Sequence, residues 1–317
     1  MNVSVIIPAY NAEQTIAECL LAIKVQSVKA KEIIVIDDGS TDYTKREVQK
    51  ITGIKYYCQA NKGPAVARNV GAKRAKGELI LFTDSDCITD ENWIKEMTKP
   101  FENKKVSGVQ GAYKTKQKEL VARFGQIEIE HRYERMKKQK EIDWVGSYSA
   151  GFRRKEFLEL GGYDESFPIA SGEDPEFSFR VAKEKGKLVF NPKAIVYHTH
   201  PKGILKYLRA KFNRAYFRPK MYSKHKEKAV NDSYTPQSLK LQIVCFYLMV
   251  AGLIAGFFDI LGVFVLISAL LAHILLGLGF FVFAAKRDLA VAIISPIILL
   301  LRSMVFGIGL FWGKLNG

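Results

Sequence analysis

Leu241–Ala285 carries a single formally charged residue, Asp259, in a run dominated by Leu, Ile, Val, Phe, Ala and Gly. A soluble domain of ordinary size has no core large enough for such a run, whereas a bilayer takes about 20 apolar residues per helical crossing. The run therefore predicts two spans, near Leu239–Phe257 and Leu261–Ala285, with Asp259 and Gly262 in a tight turn between antiparallel helices. A third apolar stretch, Leu289–Trp312, follows Lys286-Arg287-Asp288 and is interrupted by Pro296 and Arg302. It reads either as a third span or as a helix lying partly in the interface. A charge at bilayer depth is costly, so Arg302 must be paired, snorkelling or interfacial.

The chain has 317 residues, 48 basic against 32 acidic, for a net charge of +16. That balance calls for an anionic partner, with nucleic acid, anionic lipid and phosphorylated substrate all open. The basic residues concentrate in Lys202–Lys228, where Glu227 is the one acid and Tyr207, Phe212, Tyr216, Phe217 and Tyr222 are interleaved. Cations among aromatics can bind RNA. Immediately before membrane spans, an interfacial helix against anionic membrane lipids is the better reading, and no nucleic-acid partner is expected. Lys286-Arg287 adds a second basic flank, and the positive-inside bias puts both flanks on the cytoplasmic face. Met1–Ala9 is too short and lacks the basic start of a signal peptide, so the N-terminal domain is expected to stay in the cytoplasm, on the inner face of a multi-pass cell-membrane protein. Cys19, Cys58, Cys87 and Cys245 show no paired spacing, which indicates neither a disulfide framework nor a zinc site. The expected layout is a catalytic domain over 1–200, a basic interfacial segment over 201–238 and a membrane region of two or three helices over 239–317.

In the first 200 residues, short apolar runs alternate with helical spacing. Val3–Ile7, Glu32–Ile36, Ile54–Cys58 and Leu79–Thr83 read as strands, and Glu13–Val25, Thr44–Ile51 and Gly63–Lys76 as helices. This alternation predicts a Rossmann-like, mostly parallel sheet. Ligands of such sheets bind outside the carboxyl ends of the strands, so Tyr10, Asp38 and Asp86 should converge. Glu78–Asp86 reads ELILFTDSD, a buried strand that stops at two carboxylates. Asp84 and Asp86 form a seat for a hard divalent cation, which prefers oxygen ligands and shares them with substrate phosphates; a polar turn is the bland alternative. The glycine-rich cradles of dinucleotide and P-loop sites are missing. Gly146–Gly151 (GSYSAG) is small enough to let a ligand approach backbone at Ala150 and Gly151. Glu173 and Asp174 open a helix, where acids commonly serve the helix dipole. His198 and His200 would share one face of an extended strand. Leu120–Lys140, charged and helical, reads as a solvated face or a cover for an acceptor.

These pieces, taken in order, resemble a family 2 glycosyltransferase of the GT-A fold. The matching segments are VSVIIPAYN (Val3–Asn11), VIDDGSTD (Val35–Asp42), NKGPAVARNVG (Asn61–Gly71), FTDSD (Phe82–Asp86), GGYDESF (Gly161–Phe167) and GED (Gly172–Asp174). The resemblance covers about Met1–His200 and implies an α/β GT-A catalytic domain, here followed by an α-helical transmembrane region. It also implies a nucleotide-diphosphate sugar donor (UDP- or GDP-sugar), a divalent cation (Mn2+ or Mg2+) and inversion at the anomeric carbon. By motif position it implies that Pro8, Ala9 and Tyr10 line the base pocket and Asp38 meets base or ribose. Lys62 and Arg68 approach the phosphates, Asp84 and Ser85 face ribose or metal, and Asp86 ligates the metal with His198 as a further ligand. Asp174 is implied as general base, with Glu173 beside it positioning the acceptor. The tail resembles those of members that work on lipid-linked acceptors in polysaccharide or glycolipid synthesis, and oligomers are possible. The alternative is an inactive membrane scaffold built on the same domain.

Overall fold

In the computed structural model, which describes residues 1–169 and 171–316, four apolar runs build the first half of one sheet. They are Val3–Ala9 (β1), Glu32–Asp37 (β2), Ile54–Cys58 (β3) and Leu79–Thr83 (β4), joined by the helices Ile16–Lys24 (α1), Thr44–Gln49 (α2) and Pro64–Arg74 (α3). Every residue of β1, β2 and β4 is buried. A continuous apolar run, instead of an alternating one, marks a strand covered on both faces. Then come Cys87–Thr89 (β5), Trp93–Thr98 (α4), Val106–Lys114 (β6), Leu120–Lys137 (α5), Ser149–Arg153 (β7), Arg154–Glu159 (α6), Glu173–Glu184 (α7) and Lys187–His198 (β8).

The strand order is β3-β2-β1-β4-β7-β6-β8-β5. Pairing is parallel from β3 to β4 and turns antiparallel at β7, which lies between β4 and β6. Helix α3 sits unusually close to the sheet: a Cβ on Gly71 would lie 2.4 Å from Ile6 Cγ2 of β1. Helix α3 begins at Pro64, which follows Gly63 at φ +94°. Proline suits the first helical turn because its missing N–H would have no partner there.

By internal contacts the chain forms two units, Met1–Lys116 with Arg135–Thr199, and Gln117–Glu134 with His200–Gly317. The second contains most of α5 and the helices Ile204–Tyr216 (α8), Arg218–Lys224 (α9), Lys226–Val230 (α10), Gln237–Ala255 (α11), Ile260–Ala285 (α12) and Leu289–Asn316 (α13). Helices α11, α12 and α13 are each long and apolar enough to cross a membrane. The turn between α11 and α12 falls at Asp259, whose Oδ1 accepts from the Leu261 N–H at 2.9 Å. A Cβ on Gly262 would lie 2.2 Å from the Gly256 nitrogen, so the small residues let the hairpin close. The third apolar stretch is one helix with Pro296 inside it. Arg302 is paired within it, donating to Glu128 Oε1 at 2.9 Å and Gln242 Oε1 at 2.8 Å.

The solvated face expected for Leu120–Lys140 is not what α5 presents in this unit. Phe124 and Ile127 are buried in a cluster with Tyr207, Phe280 and Leu299. Glu128 and Arg132 are buried too, paired with each other at 2.8 Å one helical turn apart. The segment looks solvated in sequence because Glu128 and Arg132 find their partners inside the unit, where composition cannot see them.

The closeness of α3 to β1 is testable. Gly71→Val adds a side chain where Ile6 already sits and should cost about 1–3 kcal/mol, the usual range for overpacking. Thermal unfolding of the full chain would read this as a lowered midpoint. An unchanged midpoint would mean that α3 can slide off the sheet.

Candidate active site

The carboxyl ends of β1, β2 and β4 open onto a cavity of about 420 Å3. Its wall includes Pro8 and Ala9 at the end of β1 and Tyr10 after it, Asp38 after β2, Gly63 just before α3, Pro64 and Arg68 in α3, and Asp84, Ser85 and Asp86 after β4. Tyr10, Asp38 and Asp86 do converge. Asn61, which heads one of the matched segments without an expected role, and Pro168 and Ile169, which lie outside them, also line the wall.

Arg68 is the buried centre of the group, 2% exposed. It donates to Asp84 Oδ1 at 2.7 Å and to Glu173 Oε1 at 3.2 Å. Burial works against its charge, but Asp84, Asp174 and Glu173 outweigh that and hold the guanidinium firmly protonated. Glu173 also accepts from the Ser171 and Gly172 N–H groups at 2.9 and 3.1 Å, which secures the start of α7. Asp174 differs. Its Oδ2 accepts from Ser147 N and Oγ at 3.1 and 3.3 Å, while its Oδ1 is buried with no hydrogen-bond partner among the described residues. Burial, and then the neighbouring negative charge of Glu173, push its pKa from an ordinary 3.8 up to about 7. A carboxylate held near neutrality with one oxygen unused is suited to accept a proton.

The turn Asp84–Cys87 closes through the Cys87 N–H donating to Asp84 O at 3.1 Å. Ligand atoms of Asp84, Asp86 and Cys87 lie within 4.8 Å of one another. Burial and the two aspartates push the Cys87 thiol well up, leaving a neutral S–H that a hard cation passes over. The two aspartates fit such a cation. Asp84 keeps Oδ2 beyond its bond to Arg68, and Asp86 faces His198 Nε2 at 3.4 Å through Oδ2. Burial works to raise the Asp86 pKa, but contact with His198 outweighs it and holds the carboxyl below its ordinary value. His198 is braced by Tyr113 (ring centroids 4.6 Å), which stacks on Tyr148 at 3.5 Å.

Several expected site residues stand elsewhere. Ala150 and Gly151 are in β7, buried within the sheet, and a Cβ on Gly151 would meet Leu81, Met97 and Phe101. Their small side chains serve strand packing and do not line the cavity. Lys62 is exposed and off the cavity wall; its N–H donates to Asp38 Oδ1 at 3.0 Å. Asp38 spends its other contacts on Gln59 Nε2 and the Gly63 N–H, at 2.7 and 2.8 Å, so it orders the 59–63 loop as well as facing the cavity. His200 shares no face with His198, because β8 ends at His198 and the His200 ring lies 2.9 Å from Gln126 in the second unit.

One pairing that motif reading missed joins two of the motifs. The Asn69 amide brackets Tyr163, donating to its carbonyl and accepting from its N–H, both at 2.8 Å. Gly162 sits at φ +73° with the Asn69 oxygen where its Cβ would be. The signal was present as an Asn in one motif and a double Gly in the other.

Residues 4–161 match the sequence profile described as Glycosyl transferase family 2. Glycosyltransferase GlyG of Streptococcus pneumoniae is 36% identical over 116 residues, 35% of this chain and 38% of the relative. The poly(ribitol-phosphate) beta-N-acetylglucosaminyltransferase TarS of Staphylococcus aureus is 36% identical over 103 residues, 30% of this chain and 18% of the relative. The matches thus span well under half the length of these curated relatives. Among solved structures, the mannosyltransferase PcManGT of Pyrobaculum calidifontis, in complex with GDP-Man and Mn2+, aligns with a TM-score of 0.59 at 18% identity, over 99% of this chain and 86% of that one. S. aureus TarS 1-349 aligns at 0.51 and 19% identity, over 100% and 92%. At such identities the likeness is one of fold, and that fold is GT-A.

The raised pKa of Asp174 fixes a sign for stability. Its folded value lies above its unfolded one, so its contribution is fully present below about pH 4 and is lost as pH rises through about 7. Asp174→Asn removes that loss. The variant should melt a few degrees above the unaltered protein at pH 8, with the gap shrinking at pH 5. A constant gap across that range would refute a raised pKa.

Proposed function

The chain belongs, over residues 4–161, to glycosyl transferase family 2, and from that premise we propose a membrane-associated inverting transferase using a UDP- or GDP-sugar and a divalent cation, Mn2+ or Mg2+. The acceptor in this reading is lipid-linked or membrane-proximal. The observation that carries it is the buried Arg68 tying Asp84 to Glu173, beside an Asp174 oxygen with no hydrogen-bond partner among the described residues.

Inversion takes one direct displacement, so a base must deprotonate the acceptor hydroxyl on the side opposite the leaving diphosphate. Asp174 Oδ1 is the atom for that proton, while Ser147 holds Oδ2 and so fixes the carboxylate plane. Glu173 acts through Arg68 and the start of α7, positioning its neighbour without competing for the proton. The departing diphosphate gains negative charge. A cation held by Asp84 and Asp86, with His198 steadying Asp86, would neutralise it as a Lewis acid. Arg68 adds a fixed positive charge that needs no reorganisation as the bond breaks. Pro8, Ala9, Tyr10 and Asp38 form the wall available to the base and ribose.

The Mn2+ present with the mannosyltransferase neighbour supports the cation as a class of cofactor. The basic flanks Lys202–Lys228 and Lys286-Arg287 support a cytoplasmic catalytic domain through the positive-inside bias.

A screen of UDP- and GDP-sugars with and without Mn2+, by thermal shift of the full chain, should find one donor whose stabilisation depends on the metal. Asp86→Ala should abolish that dependence and lower turnover by at least about 100-fold, the scale of losing a charge-stabilising group. Asp174→Asn should keep donor binding and lose about 100- to 10,000-fold in transfer to a hydroxyl, the range for a general base. Unaltered transfer in Asp174→Asn would point to an acceptor already anionic, such as a lipid phosphate. Unaltered turnover in Asp86→Ala would remove the metal from the reading.

A further inference from the structure

The second unit, taken by itself, holds a charge cluster that the reaction does not use. Glu128 is 3% exposed and accepts from Arg132 at 2.8 Å, Arg302 at 2.9 Å, Lys211 at 2.6 Å and the Tyr207 hydroxyl at 3.0 Å. Each of the three cations is 5% exposed. One carboxylate therefore serves three buried cations. Other acids of the unit are engaged elsewhere: Asp232 with Lys240 at 3.8 Å, Glu130 with Arg287 at 3.7 Å and Asp288 with Arg123 at 3.2 Å. Burial pushes the Lys211 ammonium far below its ordinary value, with Glu128 opposing and Arg132 and Arg214 adding to the effect.

Buried charge is stable when it is balanced and fully hydrogen-bonded. Here the Nε–H groups of both Arg132 and Arg302 are buried with no acceptor among the described residues. A lock between helices accounts for Glu128, but not for two unused guanidinium donors and a surplus of positive charge.

A crevice of about 20 Å3 reaches this cluster, with Arg132, Arg302, Ser238 and Gln242 on its wall and the Glu128 carboxylate, already engaged by the cations, beside them. It adjoins a second crevice of about 30 Å3 that shares Gln242, Gly277 and Leu299 and is otherwise mostly apolar, with Ile274, Leu278 and Phe281 on its wall. Ile274 and Leu278 are 44% and 47% exposed, so the apolar part opens on the outer surface of α12. One end is cationic, the other oily and open. We propose that this unit holds one lipid of net negative charge, a phosphodiester with no cation of its own to balance it, with a headgroup oxygen at Arg132 and Arg302 and the chain leaving along α12. The crevices take an anionic oxygen and the first carbons; the remainder of the chain lies on the exposed apolar face.

The test uses the full chain in neutral detergent, with phosphatidylglycerol, phosphatidylcholine or inorganic phosphate added in turn. Native mass spectrometry should retain one phosphatidylglycerol per chain and no phosphatidylcholine. Phosphatidylglycerol should raise the melting point by about 5 °C at saturation, and the other two should not. Glu128→Gln removes the built-in anion. It should melt earlier without lipid and gain more from phosphatidylglycerol than the unaltered protein, whereas Arg132→Gln should lose most of the gain. Equal shifts with both lipids, or an equal shift with inorganic phosphate, overturn the proposal. So does a Glu128→Gln protein whose gain is no larger. Should either variant fail to fold, the mass spectrum and melting shifts of the unaltered chain decide. The catalytic reading stands or falls separately, since no residue of this cluster belongs to it.

Discussion

A guanidinium removed from water has to be paired, and the organisation of the first unit follows from that obligation at Arg68. Leaving such a charge without one partner typically costs about 3–5 kcal/mol. Its two carboxylates come from the end of β4 and the start of α7, elements far apart in sequence. Once both are in place, the turn carrying Asp86 and the helix end carrying Asp174 have little freedom left. Positioning of the proposed acid–base and metal-facing groups is thus a by-product of satisfying one buried cation.

The two units resolve buried charge with opposite excess. Around Arg68, the carboxylates Asp84, Glu173 and Asp174 outnumber the cation. Around Glu128, the cations outnumber the carboxylate. Neither group is balanced on its own. An acid-rich cluster beside a cavity favours a bound cation, and a cation-rich one favours a bound anion. The same electrostatic reasoning therefore supports both proposals, although the units share no residue of either site.

Much of the fold was legible because strands covered on both faces read as unbroken apolar runs, and β1, β2 and β4 are such strands. The polar residues that end them marked the cavity for the same reason: the chain leaves the core there. The α11–α12 hairpin was readable from Asp259, a charge that would be costly in the middle of a span, whereas Gly262 falls inside α12 and serves the close approach of the two helices. Small residues were less informative. A missing Cβ serves equally for ligand approach and for tight strand packing, and at Gly151 it serves packing. Charge was misleading in α5, because Glu128 and Arg132 pair with each other inside the unit instead of facing water. Residues that act by holding others, Ser147 on Asp174 and Asn69 on Tyr163, carry no signature of their own. Their partners are fixed only when distant segments meet.

The pair Arg68–Glu173 also sets an order in time. Its members are 105 positions apart, whereas Arg68 and Asp84 are separated by 16. At about 5–20 residues per second of synthesis, the guanidinium waits roughly 5–20 s for its second carboxylate after the first is available. The early strands and helices thus leave the ribosome with a half-compensated cation at the edge of the sheet. The candidate site is among the last parts of its unit to close, and a nascent chain that stops short of α7 has the aspartate turn without the group that completes it.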